Sequence, residues 1–214
     1  LGENEGLAGG KIMIKIFNIE IDGWQAAIRG MRNPMNSWSK SDSTYSPLEI
    51  GQADLQLMTN LSKAGTEHGK FMRMINITFD IEAPLYYWKE FDTYKVGTTR
   101  NSCSTMHKIQ SKEFTLNDFS CEHLNEDSIR GLGTIVQILN KYRGDFNSTK
   151  NKDDWWQMIQ LLPSSYNQKA TISTNYAVLK NIYHQRKNHK LDEWREFCDW
   201  IETLPYAQEL IVNA

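Results

Sequence analysis

Three cysteines in 214 residues, Cys103, Cys121 and Cys198, are too few and too scattered for a disulfide framework or a tetrahedral zinc site. They point to a reducing compartment, and the expected location is cytoplasmic. Charge has no strong direction either: 24 Lys and Arg against 26 Asp and Glu leave a net charge of -2. Nothing therefore pulls the whole chain toward nucleic acid or an anionic membrane, and an anionic ligand must be met by a local group of cations. No apolar run is long enough to cross a bilayer. Also missing are the phosphate-binding Gly-rich loop with Lys-Ser/Thr, the dinucleotide fingerprint, zinc spacing and the Gly-x-Ser-x-Gly elbow. These absences remove several enzyme classes and leave no metal site in view. Three Asn-x-Ser/Thr sequons begin at Asn60, Asn76 and Asn147. Asn76 falls in a predicted strand and no apolar signal segment precedes it, so the sequons read as chance.

What is present is a succession of short, well-patterned elements. The Gly-rich residues 1–12 read as a leader or cloning remnant, and residues 13–214 as one domain. Alternating Ile residues from Ile12 to Ile21 predict a first strand, ended by Asp22-Gly23, and Trp24 to Met31 a short amphipathic helix. Periodicity is then lost from Arg32 to Pro47, although Met35, Trp38 and Tyr45 favour a packed loop. A helix follows through Asp54, Leu57, Met58 and Leu61, stopping at Ala64-Gly65, with His68 on a loop beyond it. Ile75, Ile77, Phe79, Ile81 and Ala83 alternate with polar residues as a half-buried strand. Pro84 opens a helix through Leu85, Trp88 and Asp92. The segment from Thr93 to Thr105 reads as a polar, hydroxyl-rich loop. An apolar stripe predicts a helix over Asp127 to Tyr142, and Arg143 to Asp153 reads as a linker or hairpin tip. Asp153 is the expected cap of a helix ending at Pro163, and the residues from Pro163 to Thr174 read as a loop. Two helices close the chain, Asn175 to about Gln185 and Leu191 to Leu204.

Candidate chemistry gathers at element ends. Lys180, Arg186, Lys187, His189 and Lys190 surround the junction of the last two helices. Arg186 could grip a phosphate in a fork while the lysines act as point charges, or the group could simply complement a helix C-terminus. Cys103 beside Arg100 has the setting of an activated thiol or of an ordinary small residue. His68 is a loop histidine available as a base or merely solvated.

The order of these pieces resembles the flavin-dependent thymidylate synthases along most of the chain. Phe79, Ile81, Ala83 and Pro84 match that family's F-x-I/V-x-A-P strand, and Thr93-Tyr94-Lys95 fall, without a gap, on its Arg-His-Arg. His68 falls on the His of a Gly-His segment, Leu162-Pro163 on a Leu-Pro, and Lys169 on an Arg. Asn175, Leu179, Asn181 and Arg186 fit N-x-x-x-L-x-N/H-x-x-x-x-R without a gap, with Asp192 near the Gln of a following H-A-Q.

The resemblance implies an α+β fold of antiparallel sheet and packed helices. It also implies FAD as cofactor, dUMP as nucleotide, methylenetetrahydrofolate and NADPH as cosubstrates, and a homotetramer with sites between subunits, without nucleic-acid or membrane partners. His68, Tyr94, Lys95, Asn101, Asn175 and Asn181 are the implied FAD contacts. Glu90, Ser102, Cys103, Ser104, Thr105, Lys169 and Arg186 are implied on the nucleotide side, where Arg186 also polarises the pyrimidine. The departures sit in the loop. Both arginines of Arg-His-Arg are gone, with only Lys95 keeping charge, and two registers of Thr98 to Met106 remain open. One sets Cys103 on the family Ser; the other matches Asn101 and Ser104 but puts Ser102 and Met106 on a Glu and an Arg. Three readings follow: the thymidylate-forming enzyme, a relative acting on another nucleotide, and a non-catalytic binding or assembly protein.

Overall fold

The structure, a computed structural model, describes residues 13–214; the expected leader lies outside them. Six strands are present in these residues: β1 (Lys15–Asp22), β2 (Thr44–Tyr45), β3 (Leu48–Glu49), β4 (Asn76–Pro84), β5 (Thr99–Ser102) and β6 (Asn167–Asn175). Their helices are α1 (Trp24–Arg32), α2 (Gln52–Lys63), α3 (Leu85–Phe91), α4 (Thr105–Lys108), α5 (Glu126–Thr149), α6 (Lys152–Leu161), α7 (Tyr176–Arg186) and α8 (Asp192–Glu202). The main sheet has the order β1-β4-β6-β5 with every neighbouring pair antiparallel, and β2 and β3 form a small hairpin. The fold class is α+β, as expected.

One face of the sheet makes the core. Ile77, Phe79, Ile81 and Ala83 of β4 alternate inward and are fully buried, with Ala170 and Ile172 of β6 beside them. Against them packs an aromatic layer from α3 and α8: Phe79 lies 4.7 Å from Trp200, Tyr87 4.6 Å from Trp194, and Phe91 stacks on Trp194 at 6.0 Å. Rings at these separations add attraction beyond burial alone. The other face is polar. There Asp80 accepts hydrogen bonds from Thr171 Oγ1 at 2.6 Å and Asn18 Nδ2 at 2.9 Å, and pairs with Lys169 Nζ at 2.9 Å. Asn18 reaches it from a bulge in β1, where its own φ is 54°. A second, smaller core joins Leu132, Val136 and Leu139 of α5 to Met158 of α6, with Ile109, Phe114 and Phe119.

The structure alters four of the sequence expectations. Asn167–Asn175 is a central strand, not a loop; its inward residues are Ala170, Ile172 and Thr174, too small and too few to sign a strand. Thr99–Ser102 is the edge strand β5, which carries no aliphatic residue at all and is held by its pairing to β6. Helix α5 runs on to Thr149, because Tyr142 and Phe146 continue its packing against the second core. Helix α6 is capped by Asn151, whose side chain accepts from Asp153 N, so Asp153 lies inside the helix.

The aperiodic loop is organised by a buried ion pair rather than by apolar packing. Arg32 Nε meets Asp54 Oδ1 at 2.6 Å, with side chains 4% and 0% exposed. Arg32 also donates to the carbonyls of Ser37 and Lys40, while Asp54 Oδ2 accepts from the Ser41 and Ser43 hydroxyls at 2.7 Å each. Burial disfavours the Asp54 charge, but the two hydroxyls and Arg32 outweigh it and hold the carboxyl below its ordinary range.

Candidate functional site

Helix α7 starts where β6 ends, and the joint is Asn175. Its side chain accepts from Val178 N at 3.2 Å, satisfying one of the free N–H groups of the helix start. Across from it the chain leaves α3 through a 3-10 turn, Asp92–Tyr94, and reaches Gly97 at φ 76°. A Cβ on Gly97 would sit 3.2 Å from Val178 Cγ2 and 3.3 Å from Asn175 Nδ2. Glycine therefore provides both the left-handed turn and the close approach of the turn to α7. Thr98 Oγ1 and Thr174 Oγ1, 3.0 Å apart, tie the two segments on the next residues.

Between this turn, α7 and the end of α2 opens a cavity of about 620 Å³. Tyr94, Gly97, Asn175 and Asn181 line it, as do Met72, Val96 and Val178; Arg73, Lys180 and His184 supply the basic side chains. Its volume lies within the range of small-molecule and cofactor sites. Amides, cations and apolar surface in one wall fit a flavin nucleotide, whose ring is flat and whose phosphates are anionic. Of the six implied FAD contacts, Tyr94, Asn175 and Asn181 are in this wall. His68 and Lys95 are exposed and flank it in sequence, beside Gly69 and between Tyr94 and Val96. Asn101 is elsewhere, opposite Thr171 on β5.

Arg186 lies next to Tyr94 but is held by protein partners. Its Nη1 donates to Glu90 Oε2 at 2.6 Å and its Nε to Tyr94 Oη at 2.7 Å, and Tyr94 donates onward to Gln185 Oε1 at 2.9 Å. The guanidinium sits 4.8 Å from the centre of the Trp194 ring, a cation–π arrangement. Glu90 Oε2 also accepts from Trp194 Nε1 at 3.2 Å and lies 3.3 Å from His189 Nε2. Glu90 and Arg186, both expected on the nucleotide side, thus form one unit. The basic group that the sequence puts at the helix junction is divided by the fold: Lys180 turns to the cavity, Arg186 to Glu90, and Lys187 over the Tyr183 ring at 5.5 Å.

The remaining nucleotide-side residues surround a second cavity, of about 320 Å³, at the opposite end of β6. Cys103, Ser104, Thr105 and Lys169 line it, while Ser102 ends β5 beside them. Cys103 N donates to Lys169 O at 2.8 Å, fixing this turn on β6. The wall carries Lys108, Lys112 and Lys169 and also Glu82, Glu113 and Asp118, so its formal charges balance. Lys112 is paired with Asp118 at 2.7 Å. Arg100 does not accompany Cys103: it stacks over Trp88 at 4.9 Å and pairs with Asp92 at 3.0 Å. The alternation of β5 sends it to the opposite face from Asn101. Lys108 and Lys112 were not singled out by the sequence; Lys180 was, as one of the cations grouped at the junction of the last two helices, and the fold puts it in the wall of the larger cavity, apart from Arg186.

Among the described residues no group of His, Cys, Asp and Glu is arranged to hold a metal ion, and no helix is long and apolar enough to cross a membrane. No protein-family model matches the chain, and no curated protein matches it. Solved structures do. Thymidylate synthase X (ThyX) from Helicobacter pylori, with FAD and dUMP, is similar at a TM-score of 0.70 and 17% identity over 94% of this chain and 98% of that one. A flavin-dependent thymidylate synthase ThyX from Helicobacter pylori, complexed with FAD and dUMP, is similar at 0.66 and 16% identity over 92% and 99%. The chain has the ThyX fold.

Proposed function

We propose that this chain is a flavoprotein of the thymidylate synthase type, binding FAD in the larger cavity and a pyrimidine nucleotide, dUMP in the first instance, at the turn from Ser102 to Thr105. The observation that carries the reading is the coincidence of a ThyX fold over 94% of the chain with a 620 Å³ cavity walled by Tyr94, Asn175 and Asn181. When bound, reduced FAD would supply the hydride, methylenetetrahydrofolate the carbon and NADPH the reducing equivalents for conversion of dUMP to dTMP. The chain's own work is then binding and electrostatics. Asn175 and Asn181 would orient the cofactor, Gly97 lets the turn lie close against α7 beside that cavity, and Arg186 would stabilise negative charge that develops on a pyrimidine carbonyl. Glu90 and Trp194 hold Arg186 in place for that task.

Lys169 and Asn175 are six residues apart on β6, about 20 Å along a strand. Reacting atoms must come within about 3.5 Å. This separation supports sites assembled between copies of the chain, in a homotetramer, with the cofactor side from one copy and the nucleotide side from another.

A second reading, a relative that acts on a different nucleotide, draws support from the balanced charge of the smaller cavity and the missing loop arginines. The test is the absorbance spectrum of protein incubated with FAD and freed of excess. Retained flavin that is reduced by NADPH and, without oxygen, is reoxidised on adding dUMP with methylenetetrahydrofolate supports the first reading. Turnover with another nucleotide but not dUMP selects the second, and colourless protein that takes up no FAD overturns both.

A further inference from the structure

The wall of the larger cavity contains no Asp or Glu, yet it contains two full cations, Arg73 and Lys180. The wall of the smaller cavity differs, its three lysines being matched by three carboxylates. Arg73 comes from the 3-10 segment Gly69–Met74 and Lys180 from α7, so two separately folded segments bring charge of one sign to one space. Among the described residues neither cation is in a salt bridge. Lys180 Nζ donates to the Ser62 carbonyl at 2.6 Å, which fixes its position and leaves two of its three N–H groups for a ligand. Burial without a carboxylate holds the Lys180 ammonium below its ordinary range, a cost that a bound anion relieves. A chain with a net charge of -2 gives no general attraction for anions, so a one-sign wall is a local property with a local cause.

The charge arrives where the chain departs from its resemblance. Thr93 and Tyr94 stand at two of the Arg-His-Arg positions and line this same cavity, but neither is cationic. We propose that Arg73 and Lys180 form a diphosphate clamp in this chain, gripping the pyrophosphate bridge of a dinucleotide. Arg73 offers a planar fork and Lys180 a point charge, the two complementary ways of holding phosphate oxygens. The clamp rests on the flavin reading for the identity of the dinucleotide, but the charge argument is independent of it.

The test is calorimetric titration of the whole chain with three probes: FAD, ADP, which has the diphosphate without the flavin, and riboflavin, which has the flavin without the diphosphate. Expected are binding of FAD and ADP that weakens with salt, and much weaker binding of riboflavin. Arg73→Gln and Lys180→Gln each reduce FAD and ADP affinity about tenfold, the double variant about a hundredfold, and Lys180→Arg restores most of the loss. Riboflavin affinity changes less than about twofold in all of them. Equal, salt-insensitive binding of FAD and riboflavin by the unaltered chain overturns the clamp and leaves the flavin reading standing; this comparison needs no variant to fold. Binding of ADP alone, lost in the double variant, keeps the clamp and overturns the flavin reading. Binding of none of the three overturns both.

Discussion

Arg186 and Glu90 form a 2.6 Å charge-assisted pair in which Tyr94 takes the Nε of the same guanidinium. Only an arginine can bridge both partners, since the ammonium of lysine has no second arm at a fixed angle. Arg186→Ala is expected to lower dTMP formation about a hundredfold or more, as removal of a preorganised charge does. Arg186→Lys should recover little of it. Glu90→Gln should leave FAD binding intact and raise the KM for nucleotide, because Arg186 loses its anchor. Steady-state rates beside flavin titrations separate these outcomes; full activity in Arg186→Ala would remove Arg186 from the mechanism.

Asp54→Ala should destabilise the fold by about 3–5 kcal/mol, because it leaves the Arg32 charge buried without its partner. Ser43→Ala removes a single hydroxyl from Asp54 and should cost about 1–2 kcal/mol. Urea unfolding monitored by tryptophan fluorescence measures both, and a loss under about 1 kcal/mol for Asp54→Ala would show that the loop does not depend on the pair.

Asp80 gives stability a defined acid limit. The Thr171 hydroxyl, then Lys169 and Asn18, lower its carboxyl from an ordinary 3.8 to about 2. A folded-state value below the unfolded one means that the native carboxylate is favoured: its contribution is complete above pH 3.8 and is lost as pH falls toward about 2. Asp80→Asn should therefore flatten the fall in stability across that window and cost about 1–2 kcal/mol near neutrality. Denaturant midpoints at stepped pH provide the check.

Gly97→Ala should cost about 1 kcal/mol in stability from the left-handed backbone alone. The added methyl also presses Val178 and Asn175 at 3.2 and 3.3 Å, so FAD affinity should fall by more than stability does. Equal affinity for FAD in this variant would separate the turn from the cofactor site.

Cys103 is exposed, whereas burial pushes the Cys198 thiol up to about 12. A thiol reagent should label Cys103 in the native chain and reach Cys198 only on unfolding. Mass mapping of the labelled cysteines decides it.

Much of the fold was legible in the sequence because its main elements carry a period. Ile77, Phe79 and Ile81 alternate inward on β4 as their spacing predicts, and the stripes of α1, α2, α7 and α8 fall where the helices are. β5 and β6 were not legible as strands. Thr99–Ser102 has no apolar residue, and β6 buries Ala170 and Thr174, residues that carry little signal without the neighbouring strands. The continuation of α5 was readable in principle, since Tyr142 and Phe146 extend the stripe of Val136 and Leu139 past Gly144. In the candidate site, motif resemblance led to Tyr94, Asn175 and Asn181. It said nothing of Arg73 and Lys180, which come together only through packing of α7 on the Gly69–Met74 turn.

β6 carries Lys169 at the rim of one cavity and Asn175 at the rim of the other, with its register to β4 continuous from Asn167 to Asn175. Because side chains alternate along a strand, an insertion or deletion of one residue between Lys169 and Asn175 would put the two ends of β6 out of phase: if the Asn175 end keeps its register to β4, Lys169 turns inward. One cavity wall could then be kept only at the expense of the other. Length variation in this strand is therefore poorly tolerated, whereas the exposed turn at Lys150 between α5 and α6 can lengthen without disturbing either cavity.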